Sequence, residues 1–239
     1  MWLFNSSIGR KVVMSVTGLA LILFLTFHMS MNVVALFSAD AYNMICEFLG
    51  ANWYALVATV ALAALTVIHI LYAFILTIQN RKARGTSRYE VTDRPKKVEW
   101  ASQNMLVLGL IILGGLCVHF YNFWAKMQLV EMTGVGDVEL AANGAYWIQY
   151  TFSQPVYVVI YLLWLCALWF HLTHGFWSAI QTFGWNGKTW FCRWRVIAIV
   201  YSTVLFAGFA VVVLAAFFGC ISPESYGGCA DALEPICLY

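Results

Sequence analysis

Five long stretches of this chain contain no Asp, Glu, Lys or Arg: residues 12–37, 53–78, 101–125, 155–183 and 196–219. Each exceeds the about 20 apolar residues that an α-helix needs to cross the hydrocarbon of a bilayer. No water is present there to satisfy backbone N–H and C=O groups, so each stretch must close its own hydrogen bonds as a helix. Composition agrees: 62% of the 239 residues are hydrophobic and 10% charged, with mean hydropathy +0.78, whereas soluble domains carry about 25% charged residues. The expected fold is all-α, one integral membrane domain of five transmembrane helices over residues 1–239. The longest links, 79–100 and 126–154, are too short for a further folded domain, and no internal repeat is evident. A secretory signal peptide is not expected, because the first apolar run is too long and no Ala-x-Ala site follows it.

The formal net charge of +2 excludes a nucleic-acid binder, and the basic residues serve to orient the chain. Arg10, Lys11, Arg81, Lys82, Arg84, Arg88, Arg94, Lys96, Lys97, Lys188, Arg193 and Arg195 all fall on one side of the alternating spans, and only Lys126 on the other. By the positive-inside rule the N-terminus is cytoplasmic and the C-terminus outside. Most acids, Glu47 among them, share the side of Lys126. The seven cysteines divide the same way. Cys117 and Cys166 lie in spans, where a small apolar core residue is the default, and Cys192 is cytoplasmic. Cys46, Cys220, Cys229 and Cys237 are external, where disulfides in any of three pairings are open to them. No Cys-x-x-Cys-His occurs, which excludes covalently attached haem, and no cysteine spacing suits zinc or an iron–sulfur cluster.

All five histidines, His28, His69, His119, His171 and His174, are inside spans, on four different helices. An ionisable side chain in a membrane helix is costly and marks a site. Depth follows from the helical rise of about 1.5 Å per residue. His28 and His119 come roughly 16 and 18 residues into outward-running helices, and His69 and His171 each about 16 residues into inward-running ones. The first two therefore share an outer level, and the second two an inner level about 10 Å nearer the cytoplasm. Zinc or copper wants three or four ligands at one level. Two imidazoles from two helices at one level are what bis-histidine ligation of a b-type haem requires, and the chain offers that arrangement twice. Gly18, Gly109, Gly114, Gly115 and Gly175 would let a flat macrocycle approach the backbone; close helix–helix packing accounts for any one of them equally well.

These residues resemble a known family, the five-helix dihaem cytochrome b subunit that anchors succinate dehydrogenases and quinol:fumarate reductases. Helix number, topology and histidine placement match over essentially the whole chain. The sharpest local match is Phe170-His171-Leu172-Thr173-His174-Gly175-Phe176-Trp177-Ser178, similar to the His-x-x-x-Gly stretch of the family's fourth span. Ser15-Val16-Thr17-Gly18 resembles the first-span pattern whose Ser lies near a haem propionate, and Asp40-Ala41-Tyr42-Asn43 the first outer loop.

The resemblance implies that His28 and His119 bind a distal haem b and His69 and His171 a proximal one, with Ser15, Gly18, His174 and Gly175 around the cofactors. His174 matches no ligand of the pattern; it shares a helix face with His171 and could bond a propionate or substitute as ligand. It further implies a flavoprotein and an iron–sulfur subunit on the cytoplasmic face, a quinone of the menaquinone type, and a multi-pass location in a bacterial inner membrane, surrounded by lipid, with the whole complex open to further oligomerisation. One departure matters. Some members carry a Glu two residues before the fourth-span His; here that position is Trp169, and no acid lies in any span, so protons of quinone chemistry should exchange at a membrane face. Glu47, offset by about two positions from the family's loop acid, is the candidate quinone-site acid. Lacking a nucleotide fingerprint and cluster cysteines, the chain alone is not expected to act on a dicarboxylate. The alternatives are an anchor of another quinone-linked dehydrogenase and a histidine-based proton-coupled transporter.

Overall fold

A computed structural model of the protein describes residues 6–84 and 99–221. Among the described residues all regular structure is helical. In chain order the helices are α1 (Ser7–Val34), α2 (Ala39–Ala51), α3 (Trp53–Arg84), α4 (Trp100–Gln103), α5 (Met105–His119), α6 (Gln128–Thr133), α7 (Val138–Ala142), α8 (Gly144–Phe152), α9 (Pro155–Thr182) and α10 (Lys188–Phe217). A π-helical turn, Phe120–Trp124, extends α5. Among the described residues five helices are long and apolar enough to cross a membrane: α1, α3, α5 with its π turn, α9 and α10.

The helices overrun the apolar stretches at several ends. α1 begins at Ser7, before Arg10 and Lys11, and α10 at Lys188, before Arg193 and Arg195. A charged side chain whose long stem reaches water does not oblige the backbone to stop at the membrane face. Local chemistry sets the stops: the Ser6 hydroxyl accepts from Gly9 N–H at 2.9 Å at the start of α1. Pro155, with its fixed φ and missing N–H, stands at the first position of α9. Gly184 and Gly219, at φ 79° and 75°, follow α9 and α10 in the left-handed conformation that ends a helix without steric penalty.

The chain divides into two compact units. Of the described residues, one comprises 6–25, 59–84, 99–111 and 167–204, the other 26–58, 112–166 and 205–221. In the first unit the core holds Ala167, Leu172, Ala179, Ile180, Ala198 and Ser202. In the second it holds Ile148, Phe152, Tyr161, Leu165, Ala210 and Ala216. Small residues in these positions let helix backbones approach, which is how helices associate where lipid is as apolar as Leu. No described side chain of α3 is buried, and Val60, Leu71 and Val57 are more than half exposed, a surface that suits a hydrocarbon solvent. Cys117 and Cys166, expected in a core, instead stand on exposed faces. Rotation about the helix axis, which depth does not set, decides that.

Four short helices, α2, α6, α7 and α8, occupy the links where only connections were expected. α2, α7 and α8 are capped by their own loop residues: Ser38 accepts from Ala41 N–H at 3.1 Å, Asp137 from Leu140 N–H at 2.9 Å and Asn143 from Tyr146 N–H at 2.9 Å. Asn43 ties α2 to α8 by accepting from Ala145 N–H at 2.9 Å. The Lys126 ammonium lies 5.0–5.4 Å from the ring centres of Tyr121, Trp147 and Tyr150, boxed on three aromatic faces.

Candidate functional site: two histidine pairs

Each unit contains one pair of facing imidazoles. In the first, α3 presents His69 and α9 presents His171, with ring centres 6.4 Å apart and planes inclined by 66°. In the second, α1 presents His28 and α5 presents His119, with centres 5.8 Å apart and planes at 83°. Among the described residues no three His, Cys, Asp or Glu side chains gather as they would around zinc. Two imidazoles joined through one metal at bonds of about 2.0 Å would stand with ring centres roughly 6 Å apart, so both pairs have a spacing that one shared iron would accept. The Nδ1 atoms of His119 and His171 are buried with no hydrogen-bond partner among the described residues, an expensive state in an apolar medium and one that leaves each ring with bonding capacity to use.

The first pair is held from α1. The Thr17 hydroxyl is 3.1 Å from His69 Nδ1, and a Cβ placed on Gly18 would stand 3.4 Å from His69 Cε1, so the ring lies against the helix backbone there. Ser15 is buried two residues before Thr17. One turn past His171, His174 Nδ1 stands 3.2 Å from Glu99 Oε2, and Arg195 bonds the other carboxylate oxygen. Burial alone would raise the Glu99 carboxyl, but hydrogen bonds from His174 and Arg195 and the Arg195 charge outweigh it and hold it below its ordinary range. Glu99 lies outside the apolar stretches, but from just before α4 it reaches His174 in the last turns of α9. Trp177, whose Nε1 is buried without a partner among the described residues, packs edge-on against His174 at 5.0 Å. Gly175 faces open space, with nothing within 4 Å of a Cβ added there. Trp169 donates its indole N–H to Thr203 Oγ1 at 3.0 Å.

The second pair has a different surround. The Asn32 amide donates to the His28 carbonyl at 2.8 Å and lies 3.4 Å from His28 Nδ1, while Tyr42 donates to Asn32 Oδ1 at 3.3 Å. His119 sits among Phe123, Tyr161 and Trp164 at 5.1–6.1 Å between ring centres. The π turn begins immediately after it and buries Asn122, whose Oδ1 lacks a partner among the described residues; such turns are frequent at functional sites. Trp164 is pinned by an indole N–H bond to the Ile112 carbonyl at 3.0 Å, and its ring covers Gly115, whereas Gly109 and Gly114 face open space.

Glu47 is exposed on α2 and lines a groove of about 760 Å³ with Asp40, Gly50, Glu131 and Glu139. Burial raises the Glu131 carboxyl, and the neighbouring Glu47 charge raises it further. Cys46 carries a free thiol, and Cys229 and Cys237 lie outside the described residues. Burial pushes the Cys46 thiol up to about 11. Thr17, Asn32 and Glu99 were not singled out in the sequence as partners of the histidines. Only Asn32, a helical turn beyond His28, carried a signal that spacing could have found. Comparison of the chain with family models, with curated proteins and with solved structures gave no match.

Proposed function

We propose that this chain is the membrane anchor and electron-transfer subunit of a succinate:quinone oxidoreductase, holding two b haems. What supports the reading above all is that four histidines from four helices form two separate facing pairs, 5.8 and 6.4 Å between ring centres. His28 with His119, and His69 with His171, are the ligands. Bound haem supplies a one-electron carrier that neither imidazole nor any other side chain provides. The chain's own part is to fix ring orientation, exclude water with Phe123, Tyr161 and Trp164, and keep the charge of Glu99 neutralised by Arg195.

The N-terminus is cytoplasmic in this reading, and the basic helix ends bearing Arg81, Lys82 and Arg193 receive an iron–sulfur subunit and its flavoprotein by charge complementarity. Electrons pass between that subunit and a quinone of the menaquinone class in the inner membrane of a bacterium. Glu47 is the quinone-site acid, and its repulsion with Glu131 gives that groove a carboxyl ready to hold a proton. With Trp169 bonded to Thr203 and no acid inside a span, protons exchange at the membrane face beside that groove.

A reduced-minus-oxidised visible spectrum of the purified protein tests the reading. Two b-type components, extractable with acidified organic solvent, are expected, with flavin-containing partners in the native preparation; a flat spectrum would end it. The Glu99–His174 pair favours a second reading, a proton-coupled transporter using histidines as relays, and that protein would give the flat spectrum.

A further inference from the structure

We propose that Thr17 is a positioning residue that fixes the ring tautomer of His69, keeping the hydrogen on Nδ1 so that the lone pair of Nε2 is the one left for a metal. The inference rests on the haem reading above and adds a residue to it.

The argument is a count of protons around one oxygen. Thr17 Oγ1 lies 2.9 Å from the Val13 carbonyl, 3.1 Å from the Met14 carbonyl and 3.1 Å from His69 Nδ1. Both carbonyl oxygens only accept, and the hydroxyl has a single hydrogen to give. A Thr inside a helix gives it to the carbonyl three or four residues back, and both such carbonyls are in range. The hydroxyl therefore meets His69 with a lone pair, and Nδ1 must bring the hydrogen. A bare Nδ1 would set its lone pair against that of the Thr17 oxygen. Thr17 is 4% exposed, so water does not compete for the position.

The consequence is directional. With Nδ1–H committed to the Thr17 oxygen on α1, the ring is anchored on the side away from its ligating nitrogen, and the acceptor withdraws the proton slightly, which makes the imidazole more basic. His171, across from it, has no such partner among the described residues. The first pair is thus built from one anchored and one unanchored ring, and Thr17 determines the difference.

The test uses Thr17→Val and Thr17→Ser in the complex as it is expressed, with redox titration of each b-type component and low-spin electron paramagnetic resonance. Thr17→Val is expected to keep both haems at about normal stoichiometry while weakening retention of the His69 haem about 10-fold. The midpoint potential of that component rises because its ligand is less basic, and its g-values shift as the ring is freed. The component lost in His28→Ala keeps its potential. Thr17→Ser, which keeps the oxygen, restores the wild-type values. If Thr17→Val does not assemble, Thr17→Ala removes the same oxygen without adding bulk and is read the same way. Unchanged potential and g-values for the His69 component in a haem-replete variant would overturn the assignment of Thr17 alone, whereas absence of haem from the wild-type protein would overturn the functional reading beneath it.

Discussion

His174 Nδ1 stands 3.2 Å from Glu99 Oε2, joining residues 75 positions apart. Arg195 closes the arrangement on the other oxygen, so the carboxylate serves two donors on two helices. Because the pairing depresses the Glu99 carboxyl, the sign of its pH dependence is fixed. The stabilisation is complete above the ordinary Glu value near 4.3 and is lost as pH falls through the lower folded value. Thermal melts of detergent-solubilised protein between neutral pH and pH 3 should show this loss in the wild type and less of it in Glu99→Gln. At pH 7 that variant should be less stable by about 1 kcal/mol at most, since the pair is partly exposed.

Replacement of the paired histidines should act pairwise. His28→Ala and His119→Ala should remove one spectral component, and His69→Ala and His171→Ala the other. His174→Ala should keep both, because its ring is spent on Glu99 and Trp177. Loss of the same component in His28→Ala and His69→Ala would break the pairing. The steep 83° inclination of the His28 and His119 planes, against 66° for the other pair, predicts the more anisotropic low-spin signal for the first of these.

Glycine substitutions should divide by what stands in front of them. A Cβ on Gly115 would collide with the Trp164 indole, itself fixed to Ile112 and packed on His119. Gly115→Ala should therefore cost about 1–3 kcal/mol of stability by overpacking and perturb the His119 component. Gly208→Ala meets the Met29 thioether, a flexible end that can move, and should cost less. Gly109→Ala meets nothing within 4 Å and should stay within about 0.5 kcal/mol in the same melts.

The aromatic box around Lys126 predicts a charge requirement. Lys126→Met keeps the stem but removes the cation, and should lower stability by about 0.5–1 kcal/mol, the worth of a cation–π contact at a partly exposed site. Lys126→Arg should restore most of it. Protection of α8 amides in hydrogen exchange is the local measure.

Thiol chemistry should separate Cys46 from Cys192. Burial holds the Cys46 thiol at about 11, so it carries almost no thiolate at pH 8 and should resist maleimides, whereas Cys192 is exposed and should react. Applied to sealed vesicles of known orientation, a membrane-impermeant maleimide should reach Cys192 only from the cytoplasmic face, which tests the proposed orientation directly.

Helix number and the pairing of His28 with His119 and of His69 with His171 were legible in the residues alone. Both rest on quantities that a straight helix fixes locally: the length needed to cross hydrocarbon and the rise per residue. Loop capping was legible in principle, since Ser38, Asp137 and Asn143 act on residues three positions ahead. What each ring nitrogen touches was not. The partners of His69 and His174 lie 52 and 75 residues away along the chain, and their meeting depends on how each helix is rotated about its axis. Neither composition nor depth specifies that angle. It is settled when small residues such as Ala167, Ala179 and Ala198 let neighbouring backbones close in, which turned Thr17 towards His69 and left Cys117 and Cys166 facing outward. Sequence thus determined which residues lie at which position along a helix, and tertiary packing decided which atoms meet, because axial position accumulates residue by residue while azimuth is set only by contact.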